Sequence, residues 1–78
     1  MKIYSVRDVN VGFNQPFCDV NDDAAIRGFA YAVNNSDIMA FTPKDFDLYR
    51  IGEFKNDTGM IESCLPELVI HGTEVFQN

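Results

Sequence analysis

The sequence predicts an α+β fold: a small antiparallel β-sheet of about four strands with one α-helix packed across one face. Three observations predict it. The chain opens on an apolar, β-favouring run, KIYSVRD; a single stretch of helical periodicity follows; and KDFDLYRIGEF and MIES flank a turn signal in the manner of a hairpin. Seventy-eight residues make one domain, 1–78, because so short a chain buries only about 60% of its unfolded surface and cannot divide into two stable cores.

Ile3, Tyr4 and Val6 favour a strand over about 2–8, and the polar residues from Asp8 to Gly12 mark a turn. A partner strand is expected over about 11–18. Asn21 can accept from free backbone N–H groups, and Asp22 and Asp23 place negative charge at the positive end of a helix dipole, so a helix starts there and runs over about 22–34. Asn34 and Asn35 stop it, and NNSDIMAFTP reads as a loop. In the strand 44–54, Phe46, Leu48 and Phe54 fall on one side and Tyr49 and Ile51 on the other, which suits a strand inside the sheet. KNDTG suits a turn closing on Gly59 at positive φ, with MIES as the returning strand. Pro66 cannot donate a ladder hydrogen bond, so 66–78 is an edge strand or a docked tail.

Ten aromatics within 46% hydrophobic residues argue for a folded globule. Twelve acids against six bases give a charge of -6, which opposes the counterion-releasing attraction behind non-specific nucleic-acid binding; any DNA contact is therefore local. No apolar run of about 18 residues predicts a membrane span, and MKIYSVRDVN lacks the apolar core of a signal peptide. The expected compartment is reducing, with Cys18 and Cys64 as free thiols. Those cysteines and the single His71 match no zinc pattern or nucleophile dyad, and Asp45 and Asp47, alternating onto one strand face, read as a solvated edge. The expectation is a non-enzyme with no catalytic residues, no metal and no cofactor.

The chemistry of interest lies in AAIRGFAYAVNN. At 100° per residue Ile26, Phe29, Ala30 and Val33 face the sheet with Ala25 and Ala32 at the margin, while Arg27 and Tyr31 point away beside Ala24, Gly28 and Asn35. Three readings stand. Asp23 can pair with Arg27 four residues on. Ala24 and Gly28 can admit another backbone, flanked by Arg27 and Tyr31, in a homodimer or against a host or viral protein. Arg27 can hold a phosphate with Tyr31 stacking on a base, and Arg50 beside Tyr49 repeats that pairing on the strand.

Taken together, MKIYSVRD, AAIRGFAYAVN and PKDFDLYRIGEF followed by TGMIE resemble the small non-structural protein of the gokushovirus branch of the Microviridae, tailless bacterial viruses with single-stranded DNA genomes. The resemblance runs from Met1 to about Leu68. Its most specific pieces are Ala25, Ile26, Arg27 and Phe29 and the YRIGEF strand with its turn ending at Gly59. It implies a DNA-binding protein of genome replication or packaging, located in the cytoplasm of the infected bacterium, and offers no catalytic residues. The leading expectation is a homodimeric, non-enzymatic protein that meets single-stranded DNA through Arg27, Tyr31 and Arg50. The alternative is an acidic interaction module that does not touch DNA.

Overall fold

A computed structural model describes residues 1–77. Its elements are β1 (Lys2–Asp8), β2 (Gly12–Phe13), β3 (Phe17–Asp19), α1 (Asp22–Asn35), α2 (Asp37–Phe41), a 3-10 turn (Pro43–Asp45), β4 (Phe46–Phe54), β5 (Ile61–His71) and α3 (Gly72–Val75). All strand pairs are antiparallel, in the order β2-β1-β4-β5, and β3 shares with β2 the outer edge of β1. The α+β expectation holds, with β4 inside the sheet and five strands in place of about four.

α1 packs across one face of the sheet. Its Ala25, Phe29 and Val33, spaced four residues apart on one stripe, close a core with Tyr4 from β1 and Phe46 and Leu48 from β4. The stripe is turned by one residue from the expected one: Ala25 is fully buried, and Ile26 and Ala30 lie at the margin. Asn21 caps the helix as expected, its side chain accepting from the N–H of Ala24 at 2.9 Å.

Four departures from the sequence reading have local causes. The strand 11–18 is two short strands, because Asn14, Gln15 and Pro16 leave the ladder between Phe13 and Phe17. The loop after Asn35 holds a helix: Ser36 ends α1 with its backbone and caps α2 with its hydroxyl, which accepts from the N–H of Met39. Asp45 belongs to the 3-10 turn, so it does not alternate with Asp47 along a strand. Pro66 does not interrupt β5 but sits in an irregularity, where Cys64, Leu65 and Pro66 face the single residue Ile51 between the pairs Gly52 with Ser63 and Arg50 with Glu67.

Both alternatives for the tail are realised in succession. Residues 66–71 continue the edge strand β5, and the chain beyond docks on α1, where the Asn34 side chain donates to the carbonyl of Val75 and accepts from the N–H of Gln77. Residue 78 lies outside the described residues. The turn between β4 and β5 is the expected one, with Gly59 at φ 78°, in the left-handed region.

A second irregularity sets which way the end of β4 faces. Tyr4 pairs with Arg50, yet Ile3 pairs with Gly52, so Ile51 is an extra residue relative to β1. The extra residue reverses the alternation beyond it. Phe54, expected on the side of Leu48, is carried to the opposite face, the side of Ile3, where it pairs with Ile61.

Candidate nucleic-acid interface

The strand register sorts charge between the two faces of the sheet. Tyr4, Val6 and Asp8 alternate with Ile3, Ser5 and Arg7, and since Tyr4 lies under α1 the second set belongs to the face without helices. Of the six acids on strands, Asp8, Asp19, Glu53, Glu62 and Glu67 pair with Phe46, Lys2, Lys2, Glu53 and Arg50, all on the helical side. Only Asp47, paired with Arg7 and His71, is on the other face. Arg7 and Asp47 cancel there, and His71 adds one positive charge when protonated. An acidic protein thus has one sheet face that is neutral to positive.

That face carries two aromatic rings. Phe13 of β2 lies next to Arg7 in the register, and its ring meets Tyr49 of β4 edge-on, with centroids 5.4 Å apart. Phe13 is 47% exposed and Tyr49 half-buried, with exposed Leu68 beside it on β5. Beneath them Ser5 is buried and donates its hydroxyl to the carbonyl of Asn14 at 2.7 Å, which ties down the loop that carries Phe13. Aromatic rings fixed on a sheet with a neighbouring guanidinium form the kind of platform on which unpaired bases stack.

Asp47 and His71 join the platform at its β5 side. The Nδ1 of His71 lies 2.7 Å from Oδ1 of Asp47, and this hydrogen bond raises the histidine above its ordinary value of 6.5, against a smaller opposing effect of burial. A raised histidine stabilises the folded state fully below 6.5 and loses that contribution as pH rises through the folded value. The melting temperature is therefore expected to fall as pH rises above about 6.5, and His71→Gln is expected to remove that part of the profile; calorimetry between about pH 6 and 9 reads both.

Arg50, one of the three expected DNA contacts, is held elsewhere. Its guanidinium donates from Nη1 to both carboxylate oxygens of Asp22, at 3.0 and 2.7 Å, and from Nη2 to Oε2 of Glu67 at 3.1 Å. The buried Tyr4 hydroxyl donates to Oδ1 of the same Asp22 at 2.6 Å. The Tyr4 hydrogen bond, followed by Arg50, holds the Asp22 carboxyl below its ordinary value, while burial and the carboxylate push the Tyr4 hydroxyl up. Arg50 therefore sits on the acidic side with its charge balanced by two carboxylates.

Arg27 and Tyr31 lie on the outer side of α1, as expected, with Tyr31 72% exposed. Among the described residues Arg27 makes no ion pair within 4 Å, so the expected pairing with Asp23 does not form, although both line a shallow hollow with Val20, Asn21 and Ala24. Gly28 opens onto free space: a methyl group built there meets nothing within 4 Å. The helix pair Arg27 and Tyr31 and the sheet group Arg7, Phe13 and Tyr49 occupy separate surfaces. The sequence reading named Tyr49 only beside Arg50 and not with Arg7 and Phe13, although the alternation that buries Tyr4 already turns Arg7 the other way.

Cys18 and Cys64 are exposed and unbridged, as expected. Among the described residues no group of three or more His, Cys, Asp or Glu side chains could hold a metal ion, and no helix is long and apolar enough to cross a membrane.

Fold and surface together define a small α+β protein with an uncovered sheet face, on which an aromatic pair lies beside a row formed by Arg7, Asp47 and His71. Residues 1–75 match the model of a family described as Phage ORF5 protein, so the chain belongs to that phage protein family. No curated protein and no solved structure matches it.

Proposed function

We propose that this phage protein acts without catalysis on single-stranded DNA, binding it on the uncovered sheet face, in the genome replication or packaging that its resemblance to the gokushovirus non-structural protein implies. Its place of action is then the cytoplasm of the infected bacterium. The observation that carries the reading is the Phe13–Tyr49 pair beside Arg7 and His71, on the face that holds one of the six strand acids. Charge segregation eases the objection raised by a total of -6, because phosphates on this face meet Arg7 and His71 with Asp47 as the single strand carboxylate beside them, and lie away from the other five. Arg27 and Tyr31 supply a second contact across α1.

Anisotropy of a labelled oligothymidine, titrated between about 0.1 and 0.3 M salt, tests the proposal. Stacking on an aromatic ring contributes about 1–3 kcal/mol per base, so Tyr49→Ala is expected to weaken binding roughly 5- to 150-fold. With Asp47 offsetting one of the two cations on this face, about one phosphate is neutralised, giving a slope of about -0.7 in log affinity against log salt. Affinity unchanged by Tyr49→Ala, or no binding at about 0.1 M salt, sinks the proposal; loss with Arg27→Ala alone moves the contact to the helix.

A second reading, the adaptor that binds a host or viral protein and no DNA, draws on exposed Tyr31, Ile38 and Phe41 along α1 and α2, the last 85% exposed. Here Gly28→Leu, filling open space, leaves the fold intact and blocks partner binding.

A further inference from the structure

We propose that the outer edge of β5 pairs antiparallel with the same strand of a second copy of this chain, closing a two-fold dimer. The inference rests on the sheet edges and does not depend on DNA binding. It also differs from a dimer through the outer face of α1, the arrangement that Ala24, Gly28, Arg27 and Tyr31 suggest from sequence.

The two edges of the sheet are unlike. One is divided between β2, of two residues, and β3, of three. The other is β5, of eleven residues, whose first eight are exposed. An edge strand presents a row of backbone donors and acceptors without partners, and natural sheets blunt such rows with lysines, prolines, bulges, short strands or a covering segment. β5 has no lysine and is long; Pro66 removes one donor, and the irregularities at Cys64–Pro66 and near Val69 divide its row into segments at 61–63, 67–68 and 70–71. Its exposed apolar groups add to the edge: Ile61 is 69% and Leu65 86% exposed, with Leu68 and the neighbouring Met60 also exposed.

Three further observations select a second copy as the occupant. Both acids of β5 have a cation near them within the chain, Glu67 with Arg50 at 3.1 Å and Glu62 with Lys55 at 3.9 Å, each shared with a second carboxylate, which lessens the repulsion between two such strands. The broken β2/β3 edge offers no continuous row for β5 to pair with head to tail, which favours the closed, self-matching arrangement over a filament. The chain also exposes more surface than a compact monomer of its mass: 5190 Å² against about 4,800 Å² expected for 8.8 kDa. Its radius of gyration of 12.6 Å likewise exceeds about 11.5 Å. An excess on the order of 400 Å² per copy corresponds to a small interface of about 800 Å² in total, at or below the low end of transient interfaces.

Antiparallel strands in one sheet are related by an axis perpendicular to it. Both copies therefore turn their helices to one side and their uncovered faces to the other.

Sedimentation equilibrium of the full chain over about 5–500 μM tests the proposal, with Leu65→Lys and Gly28→Leu as variants and far-UV circular dichroism confirming their fold. Wild type and Gly28→Leu are expected to move with concentration from 8.8 kDa toward twice that mass, and Leu65→Lys to stay at 8.8 kDa. Hydrogen exchange of the unaltered chain supplies a reading independent of any variant: amide protection across 61–68 is expected to rise with concentration. A wild-type mass of 8.8 kDa at the highest concentration overturns the proposal, as does a dimer that survives in folded Leu65→Lys or is abolished by Gly28→Leu. Should Leu65→Lys lose its fold, protection of 61–68 independent of concentration overturns it alone.

Discussion

Phe29→Ala is expected to cost about 3–5 kcal/mol and to leave much of the chain unfolded at 25 °C. Phe29 is 2% exposed and is the largest side chain that α1 contributes to a core shared with Tyr4, Phe46 and Leu48. Total stability at the usual 0.05–0.15 kcal/mol per residue is about 4–12 kcal/mol for this length, and a core of seven buried apolar residues among the described residues places it toward the lower end. Neighbours cannot collapse into the vacated space, because Ala25 and Val33 are fixed on the same helix stripe and Tyr4 is held through its hydroxyl. Urea denaturation followed by circular dichroism measures the change. A loss below about 1 kcal/mol would mean that α1 is not seated on the sheet through this residue.

Asp22→Ala is expected to cost about 1–3 kcal/mol, chiefly because it leaves the buried Tyr4 hydroxyl without an acceptor. The same carboxylate accepts from Arg50 and occupies the first turn of α1, so its removal also frees a half-buried guanidinium and a favourable dipole contact. Tyr4→Phe separates these effects. Without the hydroxyl there is nothing to orphan, so Asp22→Ala should cost less in that background, and a double-mutant cycle by urea denaturation reads the difference. The pH dependence has the opposite sign to that of His71. Asp22 titrates below its ordinary value of 3.8, so its contribution is complete above that pH and disappears as pH falls through the depressed folded value. Acid titration of Asp22→Ala should lack this component.

The features legible in the sequence were those fixed by neighbouring residues: the strand 2–8, the Asn21 cap, and the turn closing at Gly59. Each needs only a few consecutive side chains with defined backbone preferences. The direction of Phe54 was not legible, because the extra residue at Ile51 exists only relative to β1, some 47 positions earlier. Two-residue periodicity assumes an unbroken ladder, and one inserted residue reverses it. The helix α2 was within reach, since Ser36 and Asp37 carry the same signal as Asn21 and Asp22, but five residues are too few to show periodicity.

At the candidate site, Arg27 and Tyr31 emerged from helical spacing alone, whereas the partners of Arg50 did not. Asp22 lies 28 positions away and Glu67 lies 17, and only the assembled sheet brings all three together. The contact of Phe13 with Tyr49 was hidden for the same reason, since it spans a β2–β1–β4 order that no local pattern specifies.

The separation of charge between the two faces has a kinetic consequence. At about 0.01 M salt the screening length is about 30 Å, longer than the 17 Å thickness of the molecule, and an approaching DNA strand responds to the whole charge of -6 and is repelled from every direction. At about 0.1 M the length is about 10 Å, and the strand responds to whichever face it meets. Association should therefore quicken with the first additions of salt, while the contacts at Arg7 and His71 weaken with later ones. On the proposed DNA-binding reading, capture is expected to be best at intermediate ionic strength, a preference that would follow from which strand positions carry carboxylates.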